Sequence, residues 1–371
     1  MRILFIAPVP PPITGQSLAV KVFFDELVKN HEVEVINLNK DSFMSGVNSF
    51  VRIKQVFRIL KKVWDNKKDV DAIYFSISES FAGNVKDLFI YLICFKSLKN
   101  TIIHLLGGAG IKNILEKKGT QYKLNKYFIS RLGGIIVEGQ TQSDTFSRLT
   151  SKIKIHIVPN FAEDFLFMSE KEIEDKFLNM YPLKILFLSN LIYGKGHNEL
   201  VDAYLDLTNE LKEKVRIIFV GGFESNKYKN DFLKKIHGHK GLVYQGLFVG
   251  GFEKKALFSD THIFCLPSYY PYEGQPISIL EAYATGCVVI TTNHSGIRDV
   301  FSDGINGFEV QKKSAKSIKL VIEKIIEDNN ILLPIAILNR DAAYFKYRTD
   351  IYKASLIRII DGIRSKSNNE R

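Results

Sequence analysis

The 371-residue sequence predicts an α/β protein made of two doubly wound parallel sheets in tandem. Three observations carry this. Short apolar strands alternate with amphipathic helices, and a βαβ rhythm of that kind builds parallel sheets covered on both faces. The rhythm lapses over residues 161–183, a polar stretch carrying Pro182, and then begins again. The length also exceeds what one core normally holds. The expected domains are residues 1–165, with a terminal helix at about 340–371 crossing back onto them, and residues 180–335. Two such domains facing each other make a cleft, and ligands bind outside the carboxyl ends of parallel strands.

In the first half, residues 3–7 form the first strand. A Pro/Gly loop follows, then a helix over 17–29 and a strand over 33–37. Residues 72–76, 101–105, 134–137 and 154–158 read as further strands. In the second half the strands are 184–188, 215–220, 243–244, 263–266 and 288–291. Helices over 198–211, 252–259, 276–285 and 314–327 lie between or after them. No fixed-period repeat relates the halves.

The net charge of +11 is unevenly placed. Residues 1–160 hold 23 Lys or Arg against 13 Asp or Glu, whereas residues 161–371 hold 28 against 27. A basic first half fits an anionic partner, such as a membrane surface or a phosphorylated lipid, and equally a solvated basic face. Nucleic acid is not expected, because no reader motif accompanies the charge. The three cysteines, Cys94, Cys265 and Cys287, are too few and too scattered for a disulfide scaffold or a zinc site and fit a reducing cytoplasm. The apolar start lacks a small-residue cleavage site and reads as a strand. The run 88–95 falls far short of the roughly 20 residues a span requires. A cytoplasmic protein, peripheral at the inner face of the membrane, is expected.

The most informative string is Tyr272-Glu273-Gly274-Gln275-Pro276-Ile277-Ser278-Ile279-Leu280-Glu281-Ala282. Pro276 suits the first helical position, where no backbone donor is lost. Glu273 then lies in the loop, and Glu281 lies roughly 8 Å along the helix axis. Free N–H groups at a helix start, with the helix dipole, suit a phosphate. A diphosphate at that start, with one carboxylate on either side for hydroxyls, matches the layout of a sugar nucleotide. A loop glutamate and a solvated helical glutamate would give the same bare spacing. The setting is more specific, with Leu266-Pro267-Ser268 before the pair and Ala284-Thr285-Gly286 after it.

This string resembles the donor-site signature of the GT-B glycosyltransferases, in particular the retaining glycosyltransferase family 4, also called glycosyl transferases group 1. The resemblance implies a GT-B fold of two Rossmann-like domains. It implies that Glu273 contacts the transferred sugar, that Glu281 binds the ribose hydroxyls, and that Gly274, Gln275, Pro276 and Ile277 line sugar and phosphate. Gln275 stands where the family often has Phe, so the loop surface differs there. A second matching string, Ser189-Asn190-Leu191-Ile192-Tyr193-Gly194-Lys195-Gly196, leaves a strand and opens a helix. Lys195 matches the family's diphosphate-binding lysine, while Asn190 replaces the usual arginine. Gly222 after its strand and Phe248 near the base complete the expected donor contacts. In the first half, Gly15 permits close approach of the loop after the first strand. His104, before Gly107 and Gly108, stands where the family has a histidine near the reacting sugar.

The resemblance therefore implies transfer of a hexose or N-acetylhexosamine from a nucleoside diphosphate sugar, UDP before GDP, to a hydroxyl of a lipid-linked or polysaccharide acceptor. A role in capsule or O-antigen synthesis, retention at the anomeric carbon, and no metal or other cofactor follow from it. The expected catalytic residues are Glu273, His104 and Lys195. A GDP-mannose-dependent mannosyltransferase, a GT-B sugar-nucleotide epimerase, and a glycoside hydrolase using the two glutamates are the alternatives. Residues 51–68 place Ile53, Val56, Phe57, Leu60, Val63 and Trp64 on one helical face, with Arg52, Lys54, Arg58, Lys61 and Lys62 around the rest. That helix either packs its apolar face on the sheet or lies in an anionic membrane interface.

Overall fold

A computed structural model describes all residues except 12–13, 40–48, 248–249 and 370–371. It divides into two compact units, Met1–Asn160 with Asp350–Arg371, and Phe161–Thr349.

The first unit runs β1 (Arg2–Ala7), α1 (Gly15–Leu27), β2 (Glu32–Asn37), α2 (Ser49–Asn66), β3 (Ala72–Ser76), α3 (Phe81–Ile93), β4 (Thr101–Leu105), α4 (Ala109–Glu116), α5 (Thr120–Ile129), β5 (Gly134–Val137), α6 (Gln140–Phe146) and β6 (Ile155–Ile157). Its sheet is parallel, in the order β2-β1-β3-β4-β5-β6. The central strands β3, β4 and β5 are buried along their whole length, as continuous apolar runs in a doubly covered sheet must be. Alternation along the strands serves two cores. Leu4, Ile6, Ile73 and Phe75 face one cluster with Val63, Ile90 and Phe128. Phe5 and Tyr74 face the other side, their rings stacked at 4.6 Å with Phe23 of α1 edge-on at 5.1 Å to Tyr74. Such ring pairs contribute about 0.5–1.5 kcal/mol beyond their buried area.

The second unit runs α7 (Glu170–Leu178), β7 (Leu183–Leu188), α8 (His197–Leu205), α9 (Asn209–Glu213), β8 (Val215–Val220), α10 (Asn226–Ile236), β9 (Leu242–Tyr244), α11 (Phe252–Ser259), β10 (Ile263–Leu266), α12 (Ile277–Ala284), β11 (Val288–Thr291), β12 (Gly307–Glu309), α13 (Ala315–Glu327) and α14 (Leu332–Lys346). Its sheet is also parallel, in the order β12-β11-β10-β7-β8-β9. The chain then returns to the first unit in α15 (Thr349–Asn369). There Leu356 and Ile360, four residues apart, are fully buried, and the Tyr352 hydroxyl donates to the Ala19 carbonyl at 3.3 Å. Among the described residues no helix is long and apolar enough to cross a membrane.

The strands follow the expected pattern to within a residue or two, and several other elements differ from it. α1 begins at Gly15 because Thr14 and Ser17 form a reciprocal cap. The helix expected over 198–211 is two helices. Leu207 turns inward between them, and the Thr208 hydroxyl starts α9 by accepting from the Leu211 amide. The stretch 161–183 is not a bare linker. It holds α7, opened by a Ser169/Glu172 capping box and anchored by buried Ile173 and Phe177. α10, α14 and the three-residue β12 are further additions. The units divide after Asn160 and again at Asp350, rather than at about 165 and 340.

Three histidines are buried within these units. His262 is locked as a neutral tautomer, with Nδ1 accepting from the Lys184 amide at 3.1 Å and Nε2–H donating to the Lys176 carbonyl at 3.2 Å. Burial lowers the pKa of His262 and of His197 to about 4, and of His104 to about 3. The folded value lies below the unfolded one, so stability is complete above about pH 6.5 and drains away as pH falls towards 4. Each histidine contributes about 1.4 kcal/mol per pH unit in that window. Thermal melts between about pH 7 and 5 are expected to lose several degrees, and His262→Gln to flatten the dependence. A melting temperature indifferent to pH in this range would contradict the neutral assignment.

Candidate functional site

In the second unit two loops at the carboxyl edge of the sheet are pressed together. Residues 189–196 join β7 to α8, and Gly194 and Gly196 hold φ of 94° and 88°, where a side chain is strained. A Cβ on Gly196 would stand 2.4 Å from the Pro267 carbonyl oxygen, so only glycine lets this loop lie on the one that follows β10. The contact carries Lys195 to Glu273. Its ammonium is 2.9 Å from both carboxylate oxygens, with side chains only 14% and 6% exposed. The Ser268 hydroxyl also donates to Glu273, and the Lys195 ammonium lies 5.0 Å from the Tyr270 ring centre. Lys195 and Glu273 therefore form one charged unit.

α12 follows directly. Pro276 is its N-cap, not its first helical residue, because its ψ of 118° is extended and the helix opens at Ile277. The first-turn amides of any helix lack intrahelical acceptors, and here they follow the Glu273 loop directly. Gly274 and Gln275 are backed by Gly296, where a Cβ would meet the Gly274 carbonyl at 2.7 Å and the Gln275 nitrogen at 2.9 Å. Gln275 is buried, Gly274 and Pro276 are half-buried, and Ile277 is buried. Gln275 thus packs inward and does not reshape the loop surface as the sequence suggested.

Glu281 sits in the second turn of α12 and is 3% exposed, not solvated. Lys254 of α11, itself 2% exposed, places its ammonium 2.6 Å from Glu281 and 2.5 Å from Glu163. Burial raises the Glu281 carboxyl above its ordinary value, and Lys254 pulls it part of the way back. Burial works to lower Lys254, but the two carboxylates outweigh it and its pKa rises. We take the ammonium to be the firmly charged member of the group. Sequence reading missed Lys254 and Glu163, since one lysine of a Lys254-Lys255 pair gives no sign of which one turns inward.

Asn190 is exposed and adjoins Gly222, with its Oδ1 3.7 Å from where a Gly222 side chain would begin. The Leu191 amide donates to the Gly222 carbonyl at 2.7 Å, which ties the loop after β7 to the loop after β8. Phe248 lies outside the described residues. The structure thus gathers Asn190, Lys195, Gly222, Glu273 and 274–277 on adjoining loops, with Glu281 one turn deeper.

The other two expected residues belong to the first unit. Gly15 is the exposed first residue of α1, and beside it Gln16 donates to the Ser76 hydroxyl at 3.3 Å. Ser76 pairs with His104 across β3 and β4 at their carboxyl ends. His104 is fully buried, with Nδ1 2.7 Å from the Tyr74 hydroxyl and no partner for Nε2 among the described residues. With Tyr74 donating, Nε2 carries the ring proton and is a donor in want of an acceptor. Gly107 lies directly against the Glu79 carboxylate, which would have to move to admit a side chain there, and Glu79 also accepts from the Gly110 amide at 3.2 Å. Among the described residues no three His, Cys, Asp or Glu side chains are grouped to hold a metal.

Residues 168–340 match the family model for glycosyl transferases group 1. That stretch lies within the second unit. The chain is 28% identical over 254 residues to an uncharacterised glycosyltransferase of Methanocaldococcus jannaschii, covering 63% of this chain and 61% of that protein. It is 29% identical over 171 residues to the N,N'-diacetylbacillosaminyl-diphospho-undecaprenol alpha-1,3-N-acetylgalactosaminyltransferase of Campylobacter jejuni, covering 45% and 42%. Each match spans less than two thirds of the relative. An Anabaena protein solved in complex with UDP superposes with a TM-score of 0.73 over 98% of this chain and all of that one, at 16% identity. At that identity the likeness establishes the GT-B fold alone.

Removing the cation from the buried group tests the site's construction. Lys254→Met leaves the buried Glu281 carboxylate without its cation and facing the half-buried Glu163, and denaturant unfolding is expected to show a loss of about 3–5 kcal/mol. A loss below about 1 kcal/mol would mean that Lys254 does not neutralise Glu281.

Proposed function

We propose that this protein is a retaining glycosyltransferase. In this reading it moves a sugar from a nucleoside diphosphate donor, UDP-linked before GDP-linked, to a hydroxyl of a lipid-linked or polysaccharide acceptor in surface polysaccharide synthesis. The observation that carries the reading is the Lys195–Glu273 pair set beside the opening of α12, with the buried Glu281 one turn further on. The relative that acts on a diphospho-undecaprenol substrate supports the lipid-linked acceptor, and the structural neighbour solved with UDP supports the nucleotide.

On this reading Lys195 exchanges Glu273 for the donor diphosphate, and the amides opening α12 add their partial positive charge. Glu273, released from the lysine, accepts from a hydroxyl of the sugar, and Glu281 accepts from the ribose. The bond from the anomeric carbon to the diphosphate breaks, the acceptor oxygen bonds to that carbon, and the acceptor proton leaves with the diphosphate oxygen. Charge building on the leaving group is met by groups already aimed at it, which cost no reorganisation during the reaction. No metal or other cofactor is assigned a role. In the first unit, His104 keeps an Nε2 with no partner among the described residues, which suits it to donate to a ligand oxygen. A glycoside hydrolase is disfavoured because both candidate carboxylates are already engaged by lysines, while one must act as a neutral acid.

Titration with UDP and GDP is expected to show UDP binding, weakened in Glu281→Ala. Lys195→Ala is expected to lower kcat of donor-dependent transfer by about 10²–10³-fold, with transfer persisting in EDTA. Full activity in both variants would remove the assigned site. The raised Glu281 pKa adds a pH signature. Its carboxylate is lost at a higher pH than an ordinary carboxylate, so donor KM should climb as pH falls, and should do so before ordinary carboxylates protonate. In Glu281→Gln that climb should vanish, and a wild-type KM unchanged at low pH would exclude Glu281 from donor binding.

A further inference from the structure

The helices on one side of the first sheet leave an apolar surface open. α2 splits its apolar residues between two directions. Val63 is buried and Val56 and Leu60 are half-buried, but Ile53, Phe57 and Trp64 are 53%, 68% and 59% exposed. α3 has the same property. Phe81, Val85, Phe89 and Leu92 recur at helical spacing on its open face, and Phe89 and Leu92 are 50% and 59% exposed. The two helices run side by side in one direction, since Lys67 just beyond α2 donates to the Ile93 carbonyl at 2.8 Å where α3 ends. α5 flanks α3 on another side. Gln121 donates to the Phe81 carbonyl at 3.2 Å at one end, and at the other Tyr127 stacks on exposed Phe95 at 6.3 Å.

The rim of this surface is basic. Residues 49–68, 81–100 and 120–131 hold 13 Lys or Arg and two acids, Asp65 and the buried Asp87. Where the helices end, cations sit over aromatic rings. Lys67 lies 3.7 Å over Trp64 and Arg131 lies 3.7 Å over Tyr127. Aromatic rings with cations around an apolar patch are the arrangement that binds where headgroups meet acyl chains. Ordinary solvated helices put charge, not Phe and Leu, on the face that α3 leaves open.

We propose that α2, α3 and α5 form one face that docks onto an anionic lipid bilayer, with Phe57, Trp64, Phe89 and Leu92 entering the interface and the surrounding lysines meeting lipid phosphates. The charge complementarity selects a bilayer over a second copy of this chain, whose identical face would bring like charges together. The proposal does not rest on the donor reading, because the face lies wholly in the first unit and its test needs no substrate.

Trp64 is the one tryptophan in the sequence and reports directly on this face. Adding vesicles of phosphatidylcholine with phosphatidylglycerol to the full chain is expected to shift its emission to shorter wavelength and to sediment the protein. Phosphatidylcholine alone should do neither. Phe89→Asp with Leu92→Asp should abolish both effects with the melting temperature kept, since both positions are exposed. Lys61→Glu with Lys62→Glu should weaken binding at least about tenfold, and added salt should weaken it in the wild type. Emission that stays put with no sedimentation overturns the proposal. So does equal binding to neutral vesicles, or a self-associated species in analytical ultracentrifugation that the Phe89/Leu92 variant dissolves.

Discussion

Close backbone approach of two loops is the constraint on which the second unit's chemistry depends. Gly196 lies against the Pro267 carbonyl, and Gly221 at φ 145° lies against the Ser189 carbonyl. Neither contact leaves room for a Cβ. Parallel strands deliver every loop of this kind to the same edge of the sheet, but delivery alone leaves loops several ångströms apart. The glycines remove that gap, and Lys195 then meets Glu273 at salt-bridge distance.

Charge in this site is stored as pairs. Lys195 rests on Glu273, and Lys254 rests between Glu281 and Glu163. The two arrangements differ in exposure, and the difference suits different tasks. Lys195 keeps a partly open side chain, so an incoming anion can take the place of its carboxylate. Lys254 is sealed in, and its task is to keep carboxylates in a place that burial alone would deny them. A ligand that exchanges one pair and leaves the other fixed gains a positioned site at low cost in reorganisation.

The first unit divides its work between its two layers. On the side of α1 and α15, aromatic packing around Phe5, Phe23 and Tyr74 fixes the hydroxyl that orients His104. On the other side, α2 and α3 cover the sheet with one set of apolar residues and present a second set outward. The basic excess of residues 1–160 is concentrated around that outward set.

The sequence by itself determined the fold class and most of the strands, because a strand buried on both faces must be a short, continuous apolar run and little else produces one. It also placed Lys195 and Glu273 on loops and Glu281 on a helix, through motif strings whose loop, helix start and spacing are local properties. It could not determine Lys254, Glu163 or Tyr74, whose roles come from which neighbour each meets across the fold. Nor could it determine that Gln275 turns inward, or that Pro276 caps the helix instead of opening it, since burial and the ψ of a single residue are set by tertiary packing and not by the local string. For residues 51–68 periodicity showed that the helix is amphipathic. Only the packed structure decided which of its apolar residues cover the sheet and which remain open, because burial depends on the neighbouring helix and not on the helix itself.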